Sequence, residues 1–126
     1  MGRIIVADDN MAIREVIRQI LDQHDIVQAC NGEEVIATLT HDDWFDLLIL
    51  DIEMPVTNGW ETLAVIRDDD NGWPKLPVIT MSISKEPESA LKAWAYGATH
   101  YLVKPLNTGV LCGVVDDVLG LVLPPH

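Results

Sequence analysis

Positive charge is scarce in this chain. Eight lysines and arginines stand against twenty aspartates and glutamates, for a formal net charge of −12. A surface of that sign repels phosphate backbones and argues against direct nucleic-acid binding. Long apolar runs are missing as well. Although 48% of the residues are hydrophobic, no stretch approaches the roughly 18 apolar residues of a membrane span. No apolar segment of signal-peptide type follows Arg3. The two cysteines, Cys30 and Cys112, lie far apart with no metal-ligand spacing. A reduced, cytoplasmic protein is expected, with both thiols as small core or near-surface residues. His24, His41, His100 and His126 have no metal-like grouping and read as surface residues, and the four tryptophans read as packing residues.

What is present is organised around Leu47-Leu48-Ile49-Leu50-Asp51. A short, continuous apolar run, followed by Pro55 and Asn58-Gly59, predicts a buried central strand with Asp51 at its carboxyl end. Three other strand-like runs also end in polar groups: Arg3–Ala7 in Asp8-Asp9, Leu76–Met81 in Ser82, and His100–Val103 in Lys104-Pro105. Ile26–Ala29 completes five strands. Helical spacing of apolar residues predicts helices over 11–23 (Ile13, Val16, Ile17, Ile20 and Leu21 inward), 33–39, 60–67, 87–96 and 108–119. Asp8-Asp9-Asn10 can cap the first, Pro87 suits the first turn of the fourth, and Gly97 is a natural stop. Gly120 ends the fifth helix and Pro124-Pro125 stops it. Regular alternation of strand and helix means a parallel sheet covered on both faces, joined by right-handed crossovers. At 126 residues a single domain over 1–126 is expected, with no output domain.

In such a sheet all strand carboxyl ends share one edge, where ligands bind in open α/β folds. Asp8, Asp9, Asp51, Ser82 and Lys104 therefore converge. Close carboxylates raise one another's pKa, and a hard cation with oxygen ligands, Mg²⁺, relieves the repulsion. With Lys104 and the Ser82 hydroxyl added, the set suits stabilisation of a phosphoryl group attacked by a carboxylate.

Asp8-Asp9, Asp51-x-x-Met54-Pro55 with Gly59, Ser82 after a strand, and Tyr101-x-x-Lys104-Pro105 together resemble the receiver domain of two-component response regulators. The resemblance covers essentially the whole chain. It implies a flavodoxin-like three-layer fold, a five-stranded sheet in the order 2-1-3-4-5 with five helices. It implies Asp51 as the acceptor of a phosphoryl group from a histidine kinase or histidine phosphotransfer protein. It further implies Mg²⁺ held by Asp8 (largely through water), Asp9, Asp51 and the Glu53 backbone carbonyl. Lys104 would pair with a phosphoryl oxygen, with the Lys104-Pro105 bond in cis. Ser82 would bind the phosphoryl group, and Tyr101 would then turn from exposed to buried, a shift between two pre-existing states. The kinase side would dock near Met11 and Ala12 beside Pro105-Leu106, a downstream protein target would read the switch, and the chain itself would carry no donor histidine.

Three positions depart from or tune the pattern. Ile83 stands where a small residue is usual and is expected to crowd the pocket, slowing both phosphoryl arrival and water attack. Glu53 and Ser84 occupy positions that tune phosphoryl lifetime in the family. The fifth helix is unusually apolar, from Val110 through Leu123. Either the sheet covers most of it, or it forms a patch with the fourth helix and fifth strand for phosphorylation-dependent dimerisation or partner docking. Bland roles also stand open: Asp8 and Asp9 as helix caps, Ser82 as a cap of the fourth helix, Tyr101 as a surface aromatic. The domain is read as a signalling module that catalyses only its own phosphotransfer and slow dephosphorylation. The rivals are a receiver-like interaction module that is never phosphorylated and an aspartyl-phosphate phosphohydrolase.

Overall fold

The computed structural model describes residues 2–42 and 44–120. Its elements run β1 (Arg3–Ala7), α1 (Met11–Ile20), β2 (Asp25–Ala29), α2 (Gly32–His41), β3 (Leu47–Asp51), α3 (Gly59–Ile66), β4 (Val78–Ser82), α4 (Pro87–Ala95), β5 (His100–Val103) and α5 (Thr108–Val118). All strands pair in parallel, in the order β2-β1-β3-β4-β5.

The central strands are apolar over most of their length, Arg3, Asp51, Thr80 and Ser82 apart, because both faces of the sheet are covered. Ile5, Ala7, Leu48, Leu50 and Val78 point to one face, where they meet Val35 and Leu39 of α2, Leu63 and Ile66 of α3, and Ala93 of α4. Ile4, Val6, Leu47, Ile49, Ile79 and Met81 point to the other, where they meet Ile17 of α1 and Leu111 and Val115 of α5. Each large side chain fully buried this way contributes roughly 1.5–3 kcal/mol, so β3 is the strand least able to shift. Among the described residues no helix is long and apolar enough to cross a membrane.

Four of the five helices begin at an asparagine whose side chain accepts a backbone N–H: Asn10, Asn31, Asn58 and Asn107. Each stands just beyond the sheet's carboxyl edge, so these caps also fix the loops around that edge. The exception is α4, where Glu86 makes no capping bond. Pro87 opens α4, and Gly97, at φ +94, closes it with N–H bonds back to Trp94 and Ala93 from Gly97 and Ala98.

Several sequence expectations are corrected. Helix α1 stops at Ile20 rather than Gln23, because Leu21 and His24 turn inward. His24, read as a surface residue, is buried, and its Nδ1 accepts the Gly2 N–H at 2.8 Å. Burial holds its pKa down. His41 is exposed and His100 half-buried, while His126 lies outside the described residues. Val16, placed on the buried face, is exposed. Both cysteines are half-buried free thiols. On α5 the sheet takes Leu111 and Val115, and Cys112, Val114, Val118 and Leu119 pack beside them, leaving Val110 exposed. Leu121, Val122, Leu123 and Pro124-Pro125 lie outside the described residues.

Among the described residues, one that is not glycine has a strained backbone. Val56, in the loop after β3, has φ 69 with a side chain 79% exposed. A β-branched residue in the left-handed region costs about 1–2 kcal/mol, and here no packing offsets it. Val56→Asn is expected to raise the unfolding free energy by about 1 kcal/mol, read from urea denaturation. An unchanged midpoint would mean that the loop is not strained.

Candidate functional site

Register builds the site. Ala7 pairs with Leu50 and Asp51 with Met81, so the first residue beyond β1 and the last of β3 share one edge. Asp8 is fixed there by its N–H to the Ala29 carbonyl at 3.1 Å, and its own carbonyl receives Arg14 Nη1 at 2.6 Å. Arg14 is a brace that sequence reading missed, since nothing in its helical spacing distinguishes it. Gly59 lets the loop after β3 return close to the strand: a Cβ there would lie 2.6 Å from the Asp51 carbonyl oxygen and the Ile52 Cα.

Asp8 and Asp51 are buried and Asp9 is exposed. One carboxylate oxygen from each lies within 4.8 Å of the others. Lys104 Nζ sits 2.9 Å from Asp8 Oδ2 and 3.1 Å from Asp51 Oδ1, and the Glu53 N–H donates to Asp51 Oδ1 at 3.1 Å. Asp51 Oδ2 is buried with no hydrogen-bond partner among the described residues. Burial, then the charge of Asp8, push the Asp51 carboxyl up to about 6, against the pull of Lys104. Burial pulls the Lys104 ammonium down, but its bonds to Asp8 and Asp51 outweigh it and the pKa is raised.

A buried, unpartnered carboxylate oxygen beside two more carboxylates is an electrostatic deficit that one lysine does not remove. An oxygen-only donor set of this kind fits a hard divalent cation, and the open side at Asp9 leaves room for ligands that are not protein. The helix-cap reading of Asp8 and Asp9 falls, because Asn10 caps α1.

The rest of the expected set is also at this edge. Ser82 ends β4 and is buried, while the Lys104 N–H donates to its carbonyl at 2.8 Å. Ser82 does not cap α4, whose N-cap is Glu86. Its hydroxyl instead donates to Glu53 Oε2 at 2.5 Å, and the Ile83 N–H donates to Glu53 Oε1 at 2.9 Å. The Glu53 carboxylate bridge was not legible in the sequence. The Ile83 side chain is 68% exposed, and its backbone N–H faces the site. Tyr101, expected outside in the unmodified chain, is already half-buried against the core, and its hydroxyl donates to the Ser84 carbonyl at 2.8 Å. The Lys104-Pro105 bond is cis, as expected.

Beside the acids, Ala12, Ile13, Val16 and Ile17 of α1 face Pro105 and Leu106 across an apolar groove of about 320 Å³. On the other flank, Leu91 and Trp94 of α4 are 67% and 76% exposed.

A family model described as "Response regulator receiver domain" matches residues 4–116. The chain is 32% identical over 115 residues to the CAI-1 autoinducer sensor kinase/phosphatase CqsS of Vibrio cholerae, covering 90% of this chain and 17% of that protein. It is 29% identical over 121 residues to a chemotaxis protein CheY homolog of Campylobacter jejuni, covering 94% of this chain and 92% of that one. Among solved structures, Vibrio cholerae chemotaxis protein CheY4 superposes with a TM-score of 0.85 at 29% identity, covering 94% of this chain and 99% of that one. The chain thus spans a small part of the sensor kinase and nearly all of the two chemotaxis proteins.

Proposed function

The chain belongs to the response regulator receiver family of two-component signal transduction, and from that premise we propose that Asp51 accepts a phosphoryl group from a phosphohistidine and so switches protein contacts. The observation that carries this reading is the buried, unpartnered Asp51 Oδ2, held beside Asp8, Asp9 and Lys104. That oxygen has no structural duty, and it is the atom free to attack.

In the transfer, Asp51 Oδ2 forms a bond to phosphorus as the P–N bond of the donor breaks. The imidazole leaves with the electron pair of that bond and takes up a proton from solvent. Lys104 Nζ, already 3.1 Å from Asp51 Oδ1, pairs with phosphoryl oxygen as charge accumulates. Asp8, Asp9, Asp51 and the Glu53 carbonyl would hold Mg²⁺, which supplies charge neutralisation at the phosphoryl oxygens. The Ser82 hydroxyl and the Ile83 N–H are donors for the transferred group.

The groove between α1 and Pro105-Leu106 is the proposed dock for the histidine kinase or phosphotransfer protein, being apolar and lined by Lys104, which reaches Asp51. The exposed Leu91 and Trp94, with Val103 and Val110, make the α4-β5-α5 face the proposed surface for a downstream target or a second, phosphorylated copy. We take the domain to act in the cytoplasm and to turn over no substrate beyond its own phosphoryl group.

Acetyl phosphate with Mg²⁺ tests the reading. The expected result is a gain of one phosphoryl group by intact mass, absent without Mg²⁺ and absent in Asp51→Asn. A gain of equal size in Asp51→Asn would move the acceptor elsewhere.

A further inference from the structure

The two donors that would hold a phosphoryl group on Asp51 are already engaged. The Ser82 hydroxyl donates to Glu53 Oε2 at 2.5 Å and the Ile83 N–H to Glu53 Oε1 at 2.9 Å. A carboxylate, two oxygens carrying one negative charge, thus sits where two phosphoryl oxygens would be received. We propose that Glu53 is a positioning residue that stands in for the phosphoryl group, holding the loop between β4 and α4 drawn in before any modification.

The contacts beyond it fit that role. The Ser84 N–H donates to Ser82 Oγ at 3.1 Å. The Ser84 hydroxyl pairs with Ser89 Oγ at 2.7 Å and accepts the Glu86 N–H at 3.2 Å, while the Ser84 carbonyl takes the Tyr101 hydroxyl at 2.8 Å. The chain of bonds runs from Glu53 to Tyr101 through Ser82 and Ser84. It also tethers the start of α4, the one helix among the described residues without its own side-chain cap. Glu53 itself is tied to the acceptor, because its N–H donates to Asp51 Oδ1 at 3.1 Å. Loop and tyrosine are therefore in the drawn-in arrangement in the unmodified chain, and Glu53 is the only acidic group among the described residues that bonds either donor.

Two consequences follow. A phosphoryl group on Asp51 must displace the Glu53 carboxylate to reach Ser82 and Ile83, so the two anions compete for one pair of donors. The movement of this loop and of Tyr101 on phosphorylation is then small, and it becomes large when Glu53 is removed. Because Glu53 is exposed, its replacement leaves the core intact.

The proposal rests on the receiver reading for the identity of the displaced group, but its first test does not. Hydrogen exchange at the Ile83 and Ser84 amides is measured in unmodified wild type, Glu53→Ala and Glu53→Gln. Loss of the charged bonds is expected to speed exchange about tenfold in Glu53→Ala and less in Glu53→Gln, which keeps one acceptor oxygen. Beryllofluoride with Mg²⁺ is expected to restore slow exchange in Glu53→Ala and to change wild type little. Equal exchange in unmodified wild type and Glu53→Ala would overturn the proposal. So would exchange in Glu53→Ala that stays fast after beryllofluoride binding is registered as a rise in melting temperature. If instead Asp51 takes no phosphoryl group in any variant while Glu53→Ala still exchanges faster, the latch stands and the receiver reading falls.

Discussion

Replacing Lys104 with methionine is expected to lower the unfolding free energy by about 3 kcal/mol at neutral pH without Mg²⁺. The ammonium is the one cation among the described residues that reaches both buried acids, at 2.9 Å from Asp8 and 3.1 Å from Asp51. Methionine retains most of the apolar stem, so the loss isolates the charge. Asp8 and Asp51 are then left to repel each other in a low-dielectric edge, where breaking one side of a buried pair costs more than the pair contributed. Added Mg²⁺ is expected to recover part of the loss, because a divalent cation does for the acids what Lys104 does. A denaturation midpoint unchanged by the substitution would mean that the acids are neutral or solvated.

Asp51→Asn is expected to act in the opposite sense, raising stability at pH 7.5 by an amount on the order of 1–3 kcal/mol. Burial and the charge of Asp8 lift the Asp51 carboxyl to about 6, above its ordinary value of 3.8. The folded state therefore holds the proton more tightly than the unfolded chain. The stabilisation that this proton brings is fully present below 3.8 and is lost as pH rises through about 6. Above that pH the wild type carries an unfavourable buried charge that asparagine lacks. Asparagine keeps Oδ1 as an acceptor for the Glu53 N–H and places an amide where Oδ2 had no partner. The advantage of the variant should thus fade near pH 4. Mg²⁺ should stabilise wild type more than Asp51→Asn, by about 1.4 kcal/mol at a tenfold excess over its dissociation constant. Combining both substitutions tests the account further, since residues in direct contact should not add.

The strand-helix alternation, the sheet order implied by the receiver resemblance and the convergence of Asp8, Asp9, Asp51, Ser82 and Lys104 were legible because each rests on periodicity or on position along a parallel sheet. Helix ends were less so: Leu21 and His24 turn in where spacing continued α1, since tertiary burial decides the last turn. Side-chain partnership at the edge was not legible at all. Nothing local says that the Glu53 carboxylate crosses to Ser82 and Ile83, some thirty positions away, or that Arg14 braces the Asp8 carbonyl. The backbone N–H that Ile83 turns to Glu53 is likewise independent of the side chain that the sequence shows. Nor does the sequence show that the Tyr101 hydroxyl is held by the Ser84 carbonyl, whose own N–H bonds Ser82. Asn58 reads as a turn residue, and its second duty as a cap emerges only once the edge is assembled.

The most direct measurement is chemical trapping of the acceptor. The protein is treated with acetyl phosphate and Mg²⁺, reduced with borohydride, which converts an aspartyl phosphate to homoserine, and sequenced as peptides. Homoserine at position 51 alone, dependent on both phosphodonor and Mg²⁺, is the expected result. Homoserine at position 8 or 9 with Asp51 intact would contradict the account, as would a phosphorylated chain that yields no homoserine.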